Sequence, residues 1–150
     1  MRAVVQRAHS ASVEVMGETV GSIDQGYLIL LGIESADSME DVEWLVQKII
    51  HLRIFSDSNG KMNLSLLDVD GSILAVSQFT LHASYKKGHR PSFIKAAQPE
   101  LAIPLYEAFV EQMSQQLGKP IQCGVFGARM DVHLVNDGPV TLLIDTKNKE

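Results

Sequence analysis

Apolar and polar positions alternate through the first fifteen residues. Ala3, Val5, Arg7, His9, Ala11, Val13 and Val15 fall on one side, and Arg2, Val4, Gln6, Ala8, Ser10, Ser12 and Glu14 on the other. A period of two predicts a half-buried strand. Met16-Gly17-Glu18-Thr19 predicts a turn, and residues 20–23 a short returning strand. After Gly26, residues 27–33 form one apolar run, as in a strand covered on both faces.

The period changes after Ser38. Ser38-Met39-Glu40-Asp41 has the form of a capping box, and Val42, Leu45, Val46, Ile49 and Ile50 follow at helical spacing. This predicts an amphipathic helix to about Leu52. Ser56-Asp57-Ser58-Asn59-Gly60 predicts a turn, and residues 72–79 a strand. Residues 82–92 are polar, basic and irregular. Leu105, Ala108, Phe109, Met113 and Leu117 mark a second helix, with Pro104 in its first turn and Gly118 at its stop. Residues 132–135 and 140–144 read as two final strands around Asn136-Asp137-Gly138-Pro139, in the manner of a hairpin loop. The low frequency of cis X–Pro bonds predicts a trans Gly138–Pro139. Residues 146–150 read as a frayed tail. With no repeat or linker, residues 1–150 form one α/β domain: mostly antiparallel or mixed, barrel-like sheet layers covered by two main helices.

Composition narrows the class. A chain of 150 residues, 45% apolar and 21% charged, can bury a core without staples. A single cysteine, Cys123, excludes an internal disulfide framework and a cysteine-built zinc site, and fits a reducing compartment. The N-terminus lacks a signal-peptide core, and no apolar stretch is long enough to span a bilayer. A cytoplasmic protein without a membrane partner is expected. The net charge of −5 argues against bulk binding of nucleic acid, DNA included. That mean hides an asymmetry, because residues 71–99 hold no acid but contain Lys86, Lys87, Arg90, Lys95, His82 and His89. Such a stretch is either a local phosphate-binding surface or simply a solvated loop.

Generic catalytic motifs are missing: no phosphate loop, no G-x-G-x-x-G, no G-x-S-x-G and no H-E-x-x-H. The five histidines show no metal-ligand spacing, so neither metal nor cofactor is expected. Cys123 has nothing beside it that would activate it and reads as an inert buried thiol. Three features remain. Arg7 stands on an apolar face; it either finds buried acceptors or lies at a sheet rim with its head in water. Ser77-Gln78-Phe79-Thr80-Leu81 ends an apolar strand, where ligands commonly bind and free N–H groups can hold a developing oxyanion. Asn136-Asp137-Gly138-Pro139-Val140-Thr141 holds a donor-poor turn whose carbonyls can point outward.

Together these segments resemble the D-aminoacyl-tRNA deacylases, the chirality-proofreading enzymes of translation. Lys87-Gly88-His89-Arg90-Pro91-Ser92-Phe93 and Phe126-Gly127-Ala128 with Met130 fit as well. The resemblance runs over almost the whole chain. It implies a homodimer that hydrolyses the ester of D-aminoacyl-tRNA, and of mischarged glycyl-tRNA, while rejecting L-aminoacyl-tRNA. It implies a cis Gly138–Pro139 turn inserted across the dimer and braced by Arg7. Ser77, Gln78, Phe79 and Thr80 would form the catalytic segment, with either the Thr80 hydroxyl or main-chain N–H groups plus the tRNA 2′-OH in the leading role. Lys86, Lys87, His89 and Arg90 would meet the tRNA. Two other readings stand beside it: a non-catalytic RNA-binding module, and a general esterase working through Thr80 or Cys123.

Overall fold

The alternating N-terminal segment forms a long strand, β1 (Arg2–Val15), around which a computed structural model of residues 1–150 is organised. β2 (Glu18–Ile23), β3 (Gly26–Gly32) and α1 (Met39–Ile50) follow it. A small hairpin, β4 (Phe55–Ser56) and β5 (Met62–Leu64), leads to β6 (Ser72–Ser77). α2 (Pro99–Leu117), β7 (Gln122–Cys123) and β8 (Asp131–Asp145) complete the chain. β3 and β8 flank the first half of β1, and β2 and β8 the second, all antiparallel. β6 joins β3 in parallel, and β7 joins β6 in parallel. β2 curls over towards β7 so closely that a Cβ on Gly21 would lie 2.9 Å from the Cys123 carbonyl oxygen. The mixed sheet is thus nearly closed and barrel-like, as the sequence indicated. No helix is long and apolar enough to cross a membrane.

Two apolar clusters hold this arrangement. Ala3, Val5, Tyr27, Ile29 and Ile73 of the sheet pack on Val42, Leu45, Ile49, Phe109 and Met113 of the two helices. Ala8, Ala11, Val13, Ile23, Leu28, Leu74 and Val76 fill the inner side. β1 therefore changes sides along its length. Ala3 and Val5 face the helices, whereas Ala11 and Val13, of the same parity, face inward. The slip falls at His9 and Ser10, both exposed, where the pairing with β8 shifts register. Strict alternation over all of β1 is corrected by that irregularity.

Other boundaries move for local reasons. α2 starts at Pro99, which fits the first helical position, so Pro104 lies inside the helix and not in its first turn. Gly118 ends α2 with φ +75°, in the left-handed region, as its position predicted. β6 stops at Ser77, two residues early, because the chain bends into a single 3-10 turn, Phe79–His82. The tail is less frayed than expected. Thr146 is buried and donates its N–H to the Met1 carbonyl at 2.9 Å, and Lys147 Nζ lies 2.7 Å from the Asp41 carboxylate.

Burial opposes ionisation of Asp41, but hydrogen bonds from Lys147, Thr146 and the Ser38 N–H outweigh it and hold this carboxyl well below the usual range. A depressed folded value makes the stabilisation complete above about pH 4 and lost as the pH falls through that value. The melting difference between the parent and Lys147→Ala is therefore expected to be present at pH 7 and to shrink below pH 4. Thermal melts across that range check it.

Candidate active site

β8 carries the first of two candidate segments. It is a single strand and not the expected hairpin, because both of its ends pair with β1: Asp145 to Thr141 with Arg2 to Gln6, and Asn136 to Asp131 with Ala8 to Glu14. Residues 137–140 stand opposite Arg7 alone and leave the ladder as an arch. Asn136 closes the arch by accepting the Val140 N–H at 3.0 Å and donating to the Val140 carbonyl at 3.4 Å. Gly138 has φ +129°, a conformation that favours glycine, and the Gly138–Pro139 bond is cis. The trans expectation is overturned. Both residues are exposed at the crest.

Arg7 supports this arch from beneath. It is only 7% exposed, which removes the reading of a rim arginine reaching water. Its Nε lies 3.0 Å from the Asp137 carboxylate and donates to the Asp137 carbonyl at 3.3 Å. Its Nη1 donates to the Ile54 carbonyl. A buried guanidinium needs such acceptors, and here the arch supplies two of the three. His9 Nε2 stands 3.4 Å from the other Asp137 oxygen.

The second candidate segment lies where β6 ends. Gln78 donates its N–H to the Leu31 carbonyl at 2.8 Å, and the 3-10 turn follows. The bonds of that turn begin with Leu81 N–H to Gln78 carbonyl, so the N–H groups of Phe79 and Thr80 precede its ladder. Beside the turn is a cavity of about 280 Å³. Ser77, Gln78 and Phe79 line it, together with Phe126, Gly127, Ala128 and Met130. No lining residue carries an ionisable side chain.

Thr80 lies outside that lining, and its hydroxyl donates to the Gln78 side-chain oxygen at 2.7 Å. Phe79 meets Phe93 edge to face at 5.1 Å. Phe93 follows a loop closed by two hydrogen bonds between Ser84 and Ser92, at 2.7 and 2.8 Å. Lys86, Lys87, His89 and Arg90 are all exposed on that loop. Arg7, Gly138 and Pro139 do not line the cavity of their own chain. Cys123 does not line it either, and burial pushes its thiol up, as for an inert cysteine.

Sequence reasoning missed several contributors. Ala97, Ala102 and Val132 line the cavity but gave no chemical signal. Asp137 and Asn136 sat within a quoted motif without a role. The charge of Asp137 became meaningful only once β8 lay beside Arg7.

Fold and site together define a small, barrel-like α/β domain with a cavity where β6 ends. The sequence model of the D-Tyr-tRNA(Tyr) deacylase family matches residues 4–145, and the chain belongs to that family. It is 57% identical to the D-aminoacyl-tRNA deacylase of Flavobacterium johnsoniae over 150 residues, 100% of each chain. The D-aminoacyl-tRNA deacylase of Porphyromonas gingivalis is 59% identical over the same span and coverage. A solved structure called c-Myc DNA Unwinding Element Binding Protein is similar at TM-score 0.92 and 44% identity, covering 97% of this chain and 98% of that one. The fold is also that of a probable eukaryotic D-amino acid tRNA deacylase, at TM-score 0.83, 18% identity and coverage of 95% and 97%.

Proposed function

We propose that this protein hydrolyses the ester between a D-amino acid, or glycine, and the terminal ribose of tRNA. One domain, residues 1–150, acts as a cytoplasmic homodimer in which the Gly138–Pro139 arch of each copy enters the cavity of the other. The observation that carries this reading is a cavity without an ionisable side chain, lined by Ser77, Gln78 and Phe79 where a strand passes into a 3-10 turn, in a chain of the deacylase family.

The chemistry follows from what the rim offers. The N–H groups of Phe79 and Thr80 polarise the ester carbonyl and hold the oxyanion after water adds to its carbon. The ribose 2′-OH orients that water. The bond to the ribose 3′ oxygen then breaks, that oxygen takes the proton that the added water gives up, and free tRNA and the amino acid leave. Ser77 and Gln78 position the adenosine end and shape the pocket wall. Carbonyls of the inserted arch face the substrate Cα. They admit a hydrogen there and clash with a side chain, so D-aminoacyl and glycyl groups fit and L-aminoacyl groups do not. Because the rejecting atoms belong to the main chain, many D side chains are accepted.

The test compares D-tyrosyl-tRNA with L-tyrosyl-tRNA, with a chelator present. Loss of the D-ester alone is expected. Equal loss of both would remove the chiral filter. If neither is cleaved while nucleic acid still binds, the protein is a binding module. The name of the solved relative at 44% identity makes DNA the competitor to include in that arm.

Two variants probe the assignments. Thr80→Ala is expected to keep kcat within about tenfold of the parent, whereas loss of a covalent nucleophile lowers it by about 10⁴-fold or more. Single-turnover hydrolysis of D-tyrosyl-tRNA separates the two. Lys86→Ala/Lys87→Ala is expected to weaken tRNA binding and to flatten its dependence on salt by about two phosphate contacts, with the melting temperature unchanged. Filter binding between 50 and 200 mM salt reads this; an unchanged slope would remove the loop from the tRNA surface.

A further inference from the structure

We propose that Gly32 is a positioning residue for the hydrolysis. Its lack of a side chain lets the segment from Gln78 to His82 seat against the end of β3, and so fixes where Phe79 and Thr80 stand. This rests on the proposed role of that segment.

Gly32 is the last residue of β3, between Leu31 and Ile33, which both line the cavity. A Cβ on Gly32 would lie 2.9 Å from the Gln78 carbonyl oxygen, 3.0 Å from Leu81 Cβ and 3.1 Å from His82 Cδ2. The first two atoms are main chain or fixed to it, so a rotamer change cannot clear them. Gly32 is absent from the glycines with positive φ, so its value here is space and not backbone freedom. Nor can the turn easily yield backwards. Gln78 N–H is bonded to the Leu31 carbonyl at 2.8 Å, and His82 is 2% exposed with Nε2 unpartnered. One face of a single peptide thus carries a hydrogen bond at Leu31, and the next residue carries the steric stop. An added methyl group pushes Gln78 to Thr80 outward by a fraction of an ångström. Misplacements on that scale lower rates by about 10- to 100-fold when the groups concerned must meet a developing charge.

The experiment is single-turnover and steady-state hydrolysis of D-tyrosyl-tRNA by Gly32→Ala. The expected result is a kcat lower by about 10- to 100-fold, with KM and affinity for uncharged tRNA within about twofold of the parent. Gly71→Ala is the packing control. Its Cβ would press on the buried Leu66 side chain just before β6 begins, at the end of that strand away from Ser77. It is expected to lose melting temperature but not kcat.

If Gly32→Ala does not fold, Gly32→Ala/Leu81→Gly replaces it. That variant removes the Cβ of the half-buried Leu81 and leaves the Gln78 carbonyl contact at 2.9 Å, so it is expected to fold and still to be slow. A parental kcat in either Gly32 variant would overturn the proposal. So would an equal loss of kcat in Gly71→Ala. A parent protein that leaves D-tyrosyl-tRNA intact would instead overturn the site reading beneath it.

Discussion

Arg7→Ala is expected to destabilise the protein by about 3 kcal/mol, the lower end of the range for breaking a buried charge pair, because the Asp137 side chain is 22% exposed. For a chain of this length that is a fall of roughly 6–12 °C in Tm. The substitution leaves the Ile54 carbonyl, the Asp137 carbonyl and the Asp137 carboxylate without their donor. Only the last of these can turn readily to water. The functional effect follows from where those acceptors are. Two of them belong to the arch, so the arch loses its support from beneath and, in the proposed dimer, would no longer hold a fixed distance from the substrate Cα. Hydrolysis of D-tyrosyl-tRNA is expected to fall, and the ratio of D- to L-hydrolysis to fall with it. Arg7→Lys restores little of either, because a single ammonium cannot span Ile54 and Asp137 as a planar fork does. Melting curves and paired D/L rates for both variants check this. A variant that melts with the parent and discriminates like it would show that the arch stands without Arg7.

Gly138→Ala is expected to carry the other large effect, a loss of about 100-fold or more in D-tyrosyl-tRNA hydrolysis. Two constraints meet at this residue. Its φ of +129° lies where a side chain is strained, by roughly 1–3 kcal/mol. A Cβ would also lie 2.8 Å from Val140 Cγ2, 2.9 Å from Val140 N and 3.3 Å from Arg7 Nη2. Val140 N is held by the Asn136 side chain, so the crest of the arch has to move instead. Gly17→Ala separates strain from placement. Gly17 also has a positive φ, +80°, but open space around it, in the turn between β1 and β2. It is expected to lower the melting temperature slightly and leave the rate alone. Comparable rates for Gly138→Ala and Gly17→Ala would detach the arch from the reaction.

Much of this molecule is written locally. The period-two run gave β1, the 3.6-residue spacing gave both helices, and Gly118 marked the end of α2, because each depends on neighbours a few residues away. The order of Ser77-Gln78-Phe79-Thr80, Phe126-Gly127-Ala128 and Asn136-Asp137-Gly138-Pro139 was enough to indicate the family. Pairing partners are another matter, since periodicity shows that a face is buried but not what buries it. Residues 132–135 and 140–144 look like a hairpin because two strands around Gly-Pro usually are one. They form a single strand here because both find hydrogen bonds along the same long β1. That shared partner turns four residues into an arch, sets Asp137 over Arg7 and breaks the phase of β1 at His9 and Ser10. The tail follows the same logic: Thr146 and Lys147 look like frayed chain until Met1 and Asp41 lie beside them. The sequence by itself determined β1, β3, both helices and the family. The tertiary structure alone decided which carbonyls Arg7 would hold and which atoms would line the cavity, because those contacts join residues far apart in the chain.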